Sequence, residues 1–149
     1  MRETISEALT KAQDKGDKTR VCILRLIKAA VQDRDVANRE AGRDPVDRSD
    51  ILNILLTMRQ QRVESAREFE ETGRLELAEQ EREEIGVIDE FLPKQLDETA
   101  MHQACKSAVE DVDAKGLRDV GRCMNTLKQR YPGQMDFTKA STVVKGMLR

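Results

Sequence analysis

The sequence is poor in aromatic residues. Only 3% of its 149 residues are Phe, Trp or Tyr, with no Trp and a single Tyr. Sheets favour aromatic and β-branched side chains, so this composition is not typical of β-sandwiches or barrels. Aliphatic residues recur along almost every segment, and a chain of this length buries enough of them to fold without staples. The composition therefore predicts an all-α protein.

Residues that build common catalytic and metal sites are also scarce. The three cysteines, Cys22, Cys105 and Cys123, are far apart, so they form neither a disulfide framework nor a CxxC site. His102 is the only histidine, and a lone histidine on a helix is far more often a surface residue than a catalyst. No P-loop, GxSxG, HExxH or Cys-His zinc spacing is present. We therefore expect no catalytic residue set, no metal and no cofactor.

Long hydrophobic runs are missing as well. The longest apolar runs are only a few residues, far short of a membrane span. Residues 1–12 carry charges throughout and contain no apolar h-region, unlike a secretion signal. We expect a cytoplasmic protein with reduced thiols and no membrane partner.

What the sequence does have is charge, and the charge is unevenly distributed. Residues 115–149 contain eight Lys and Arg against two Asp, whereas residues 1–114 contain 18 positive and 26 negative residues. From charge alone, a basic segment on an acidic body fits an anionic partner such as nucleic acid and an ordinary solvated surface equally well.

Apolar periodicity and helix-end residues predict seven helices, in two parts. Pro93 disfavours helix at Leu92, which places the boundary between an N-terminal body of about four helices, 1–92, and a three-helix module, 93–149. In the body, Gly16 is expected to end the first helix, the second extends from Asp17 to about Glu40, the third from Asp47 or Ser49 to about Thr72, and the fourth continues to Phe91. In the module, the fifth helix extends from Asp97 to about Asp113 with Gly116 as its C-cap, the sixth from about Asp119 to before Pro132, and Asp136 caps the seventh.

Charged residues interrupt two apolar stripes of the body. The third helix carries Ile51, Leu55, Met58, Arg62 and Phe69, and the fourth carries Leu77, Glu81, Glu84, Ile88 and Phe91. A charge that points toward a core needs a partner. We predict that Arg62, together with Arg25, meets Glu81 or Glu84 as a structural ion-pair cluster. The alternative is a polar pocket for a ligand or for acid–base chemistry.

In the basic module, the predicted sixth helix is amphipathic. Its apolar repeat predicts a buried side of Val120, Met124, Leu127 and Tyr131. Positive residues fall largely elsewhere, and a surface of this kind can contact phosphates and sugar hydroxyls. The alternative is an ordinary solvated face. The candidate RNA-binding residues are Arg118, Arg122, Lys128, Arg130, Lys139 and Lys145.

Four segments in this order resemble the YqeY family of the GatB/YqeY group. They are "ILRLIKAA", "RQQRVESAREFEETGR", "LELAEQEREEIGVIDEFLPKQL" and "RDVGRCMNTL". The chain departs from the family pattern at Phe91, where Tyr is frequent, and in "GQMDFTK", where Met135 and Phe137 replace a small-Asp-Gly turn.

The resemblance implies an all-helical protein in two parts, with a C-terminal part similar to the tail of the B subunit of the tRNA-dependent amidotransferase. In that enzyme the tail helps to hold tRNA. The leading hypothesis is therefore a non-catalytic protein that binds tRNA or tRNA-handling proteins, with no DNA partner. One alternative is an amidase- or amidotransferase-related enzyme, a carbon–nitrogen ligase with glutamine as amido donor, with Glu81 and Glu84 in a pocket. The other is a protein-interaction module.

Overall fold

The computed structural model describes all residues, 1–149, and contains seven α-helices, one 3₁₀ turn and no strand. The all-α prediction is confirmed. The chain divides into two compact units, Met1–Leu92 with α1–α4 and Pro93–Arg149 with α5–α7. The helices are α1 (Arg2–Lys15), α2 (Lys18–Glu40), α3 (Arg48–Glu71), α4 (Leu75–Asp89), α5 (Glu98–Asp111), α6 (Val120–Arg130) and α7 (Phe137–Leu148).

Aspartate residues begin four of these helices. The side chains of Asp17, Asp47, Asp97 and Asp136 each accept a hydrogen bond from a backbone N–H of the first turn. Asp47 also forms a reciprocal capping box with Asp50, which decides between the two predicted starts of α3. Such caps satisfy backbone donors that a helix leaves free at its N-terminus.

The predicted C-cap of α5 is wrong, although the helix ends close to the predicted position, about Asp113. Gly116 was expected as its C-cap, but the helix ends at Asp111 and the left-handed residue that follows is Asp113, with φ 53°. The Ala114 N–H returns to the Val109 carbonyl at 3.1 Å and closes the turn. Aspartate tolerates this conformation better than most residues, so glycine is not required. Gly116 has an extended backbone, φ −167°, and precedes the 3₁₀ turn Leu117–Asp119.

The predicted buried side of α6 is corrected in part. Cys123 and Leu127 are its fully buried residues, while Val120, Met124 and Tyr131 are only partly buried. The core-facing direction of α6 therefore runs through Cys123, one helical turn before Leu127, and the apolar residues on either side form its margins.

The N-terminal unit has its core at one end of the α3–α4 hairpin. The core includes residues of α3 up to Met58 and residues of α4 from Val87 onward. Both groups pack against apolar residues of α1 and α2. The other end of the hairpin buries only Ala66 and Ala78. Leu77, expected in the apolar stripe of α4, is 42% exposed because it lies at this end. Little apolar area therefore holds the outer half of the hairpin.

The C-terminal unit has a separate core of small and sulfur-containing side chains. The buried residues are Met101, Ala104, Cys105, Ala108, Cys123, Leu127, Met135, Ala140 and Val144. Met135 is only 2% exposed and fills this core from the α6–α7 loop. The Gln95 amide donates to the Gly133 carbonyl at 2.6 Å and fixes the segment before α5 to that loop.

None of the helices combines the length and the apolar character that crossing a lipid bilayer requires.

Candidate functional site

The six candidate RNA-binding residues are all exposed, but the structure places them in two different situations. Arg122, Lys128 and Arg130 belong to α6, and each contacts another group of the C-terminal unit. The other three residues make no salt bridge: Arg118, which precedes α6, and Lys139 and Lys145, which lie on α7.

Two arginines of α6 converge on the end of α5. Arg122 donates a hydrogen bond from Nη2 to the Val112 carbonyl. Arg130 Nη2 lies 2.6 Å from Asp111 Oδ2. The last carbonyls of a helix have no partner within the helix and carry partial negative charge, so cations stabilise them. Both arginines therefore join α6 to α5, and part of their charge is offset inside the unit.

Asp119 offsets more of the positive charge near the start of α6. The pKa of Asp119 lies below its ordinary value, mainly because the Lys115 backbone N–H donates to its carboxylate at 3.0 Å, with smaller contributions from Arg122 and Arg118. The carboxylate therefore stays ionised at neutral pH beside both arginines.

Lys128 is the third candidate residue of α6 that contacts another group of the C-terminal unit. Its Nζ lies 6.0 Å from the centre of the Phe137 ring, at the first residue of α7. That distance is at the limit of a cation–π contact, so the interaction is weak and the ammonium stays in water.

One side of α7 forms a surface that we name the α7 basic face. Its exposed members are Thr138, Lys139, Thr142, Lys145 and Arg149. Thr138, Thr142, Lys145 and Arg149 follow the i, i+4, i+7, i+11 spacing of one helix stripe, and Lys139 lies beside it. No Asp or Glu occurs after Asp136, and none of the three cations makes a salt bridge. The face thus combines unpaired positive charge with hydroxyl groups.

The aromatic residues of this unit do not extend into solvent. Tyr131 and Phe137 are partly buried and pack against the core. Stacking on unpaired bases needs exposed aromatic rings, so this surface is better suited to phosphates and sugars.

In the N-terminal unit, Arg62 and Glu84 lie together. Arg62 Nε is 3.1 Å from Glu84 Oε2, and both side chains are only 14% exposed. Arg62 Nη1 also donates to the Met58 carbonyl at 3.1 Å. These contacts satisfy a charge that would otherwise be costly on this apolar stripe, so Arg62 joins α3 to α4.

The structure places the other two members of the predicted cluster differently. Glu81 is near Arg62 and Glu84, and its pKa is raised, first by burial and then by the Glu84 charge, with Arg62 acting in the opposite direction. Arg25 is exposed on α2 and belongs to no salt bridge, so the structure does not bring it to this pair.

Sequence reasoning missed four further ion pairs between distant positions of this unit, one of which joins Arg20 to Glu90 at 2.6 Å. Arg59 pairs with Asp89 at 2.6 Å, and Arg82 pairs with Glu70, so two more bridges cross the α3–α4 hairpin. Both follow the antiparallel register, in which residue numbers rise on α3 as they fall on α4. Arg2 binds Asp35 through two 2.6 Å hydrogen bonds and, with the Val46 N–H, lowers the pKa of Asp35 to about 2. No local pattern relates these distant positions.

Two of the cysteines are unsuited to nucleophilic chemistry. Cys105 and Cys123 are fully buried in the core of the C-terminal unit. Burial raises the pKa of both thiols, and the thiolate is the reactive form. These residues therefore act as small apolar side chains.

The fold and these surfaces define a class: an all-α protein with an ion-paired acidic unit and a basic unit. The sequence matches the family model described as Yqey-like protein over residues 2–148. The chain therefore belongs to the YqeY-like protein family. No curated protein is similar enough to the chain to count as a match.

Proposed function

We propose that this chain is a non-catalytic tRNA-binding protein that contacts the RNA through its C-terminal unit. The observation that carries the proposal is the α7 basic face, where Lys139, Lys145 and Arg149 have no carboxylate partner. Unpaired surface cations attract phosphates, because they release the counterions that surround a nucleic acid. The resemblance to the YqeY family implies a similarity of this unit to the tail of the tRNA-dependent amidotransferase B subunit, and that implied similarity favours tRNA as the partner.

The contacts within the unit suggest different roles for the six candidate residues. Arg118, Lys139 and Lys145 are free to meet phosphates directly. Arg122 and Arg130 hold α6 against α5, and they add charge through the guanidinium N–H groups that remain free, since each guanidinium has five donors. Lys128 contributes as a largely solvated charge beside Phe137.

The scarcity of exposed aromatic rings points to recognition of a folded RNA by shape and backbone. A-form helices present phosphates and 2′-hydroxyls along a wide minor groove, which lysine and threonine side chains can reach. We therefore expect tRNA to bind more tightly than a flexible single strand such as poly(U) of equal length.

The test is the salt dependence of tRNA binding by the full-length chain. Each lost phosphate contact flattens the slope of log affinity against log salt by about 0.7–0.9. The double variant Lys139→Gln/Lys145→Gln should therefore bind tRNA more weakly, with a slope reduced by roughly 1.4–1.8.

A matched control removes the same charge from the acidic unit. Lys11 and Lys15 are exposed on α1 and make no salt bridge. Lys11→Gln/Lys15→Gln should leave the slope unchanged. Equal slopes for wild type and both double variants, or no tRNA binding by the wild type at low salt, would overturn the proposal.

A further inference from the structure

Helix α2 exposes a long stripe on the side opposite its buried residues, which we name the α2 stripe. The buried side carries Ile23, Leu24, Ile27 and Val31. Leu26 and Val36, on the other side, are 46% and 48% exposed and are among the most exposed large apolar residues of the chain. The stripe consists of Lys18, Cys22, Arg25, Leu26, Ala29, Asp33, Val36 and Glu40, all of them exposed.

The shape of the stripe suits another helix. A shallow groove of about 720 Å³ runs along its first half, between α2 and the end of α1, and its lining includes Cys22, Leu26 and Ala29. Cys22, Ala29 and Val36 recur every seven residues, the spacing of a helix–helix seam. Small side chains at such positions let two helices approach closely.

The charges of the stripe are arranged symmetrically about Ala29. Arg25 and Asp33 each lie four residues from Ala29, and Lys18 and Glu40 each lie eleven residues from it. The positive residues come before Ala29 and the negative residues after it. None of these four side chains takes part in a salt bridge within the chain.

We propose that the α2 stripe binds the α2 stripe of a second copy of this chain, antiparallel, about a two-fold axis at Ala29. In this arrangement Arg25 faces Asp33 of the other copy, and Cys22 faces its Val36. Lys18 faces Glu40 at each end of the contact. Every unpaired charge of the stripe thus meets an opposite charge, as an isologous interface requires.

The size of the contact sets the expected affinity. The 23 residues of α2 extend over about 35 Å, so a single pair of helices makes an interface at the small end of the specific range. We expect a dimer that dissociates with a constant on the order of 10–100 µM. Cells would then contain both monomer and dimer, depending on concentration.

Disulfide cross-linking tests the register. Cys22 and its symmetry mate lie about 21 Å apart along the helix axis, so the wild type should not cross-link through α2. Val36→Cys should form a covalent dimer under a mild oxidant, because residue 36 faces Cys22 of the other copy. The dimer should disappear in Val36→Cys/Cys22→Ser, where the two thiols left on the α2 stripes are equally far apart and Cys105 and Cys123 are buried.

A cysteine at Gln61, exposed on α3, is the matched control. Gln61→Cys should give no more covalent dimer than the wild type. Efficient cross-linking of Gln61→Cys, or none of Val36→Cys, would overturn the proposed register.

Charge reversal tests the pairing in solution, with sedimentation of the full-length chain as the readout. Arg25→Glu and Asp33→Arg should each be monomeric, since each places like charges in contact twice per dimer. A 1:1 mixture of the two variants should form a heterodimer, because both of its pairs are then opposite in sign. The double variant Arg25→Glu/Asp33→Arg should recover the homodimer.

Circular dichroism checks that each variant keeps its helices, as exposed substitutions are expected to do. A wild type that stays monomeric at concentrations of about 1 mM contradicts the proposal. So does a dimer that neither reversal weakens, because it must use another surface.

Discussion

The positively charged side chains of the N-terminal unit make different contacts from those of the C-terminal unit. In Met1–Leu92, five arginines pair with carboxylates of another helix or of a helix end, while Arg25 makes no salt bridge. The five are Arg2, Arg20, Arg59, Arg62 and Arg82. In Pro93–Arg149 only one salt bridge, Arg130–Asp111, joins two α-helices, and the cations of α7 face solvent without a partner. A count of charges cannot separate these situations, because it does not include the distances between side chains.

The difference has a physical origin. The outer half of the α3–α4 hairpin buries little more than Ala66 and Ala78, so ion pairs between the helices supply contacts that apolar packing does not. The C-terminal unit has a continuous core that reaches all three of its helices. Its surface cations are therefore not needed to hold α7 in place, and they remain available for a ligand.

The largest expected effect comes from the most buried of the paired arginines. Arg62→Met should destabilise the protein by roughly 3 kcal/mol, because Glu84 would be left largely buried without its partner. Thermal unfolding followed by circular dichroism measures the change.

The control for Arg62→Met is Arg67→Met on the same helix. Arg67 lies 4.0 Å from Glu71, and their side chains are 75% and 70% exposed. Exposed pairs of this kind contribute at most about 0.5 kcal/mol. Equal loss of stability in the two variants would mean that burial does not distinguish the pairs.

Part of this comparison could be predicted from the sequence. The Asp caps of α2, α5 and α7 follow from local chemistry, since the cap and its donors lie within three residues. The need of Arg62 for a partner could also be predicted, because Arg62 interrupts an apolar stripe. The surplus of positive charge after residue 114 is likewise a property of the sequence alone.

The rest depends on geometry that the sequence does not encode locally. Arg59 finds Asp89 only through the register of the α3–α4 hairpin. Arg122 meets the Val112 carbonyl only because α5 ends earlier than Gly116 suggested, with Asp113 in the left-handed conformation. Sequence periodicity could therefore identify Arg122 as exposed, but not as a residue that joins two helices.

A smaller effect is expected at Glu81, which shares one cation with Glu84. Its pKa is raised above the ordinary value of 4.5, mainly by burial, so the folded state binds a proton more tightly than the unfolded state. Stability should therefore fall as pH rises from 4.5 toward the folded-state pKa. Glu81→Gln should remove this slope and raise the melting temperature slightly at pH 7, with little change at pH 4.

Melting temperatures across this pH range measure the effect. Glu79→Gln, on the exposed side of the same helix, should reproduce the wild-type profile. A Glu81→Gln variant that is less stable than the wild type at pH 7 would show that the carboxylate is held by contacts stronger than its burial cost.

The smallest effects give the sharpest form of the comparison, because they should separate stability from binding. Arg130→Gln removes the salt bridge to Asp111. The two side chains are 41% and 50% exposed, so the loss should cost about 0.5 kcal/mol of stability. Lys139→Gln removes an unpaired cation and should leave the melting temperature unchanged, while it flattens the salt slope of tRNA binding by about 0.7–0.9. Lys139→Gln should change the salt slope alone, whereas Arg130→Gln should lower the melting temperature and, because its guanidinium also adds charge, reduce the slope by less than Lys139→Gln does. If Arg130→Gln changes only the slope and Lys139→Gln only the melting temperature, the division between paired and unpaired cations is wrong for this unit, and α6 rather than α7 carries the phosphate contacts.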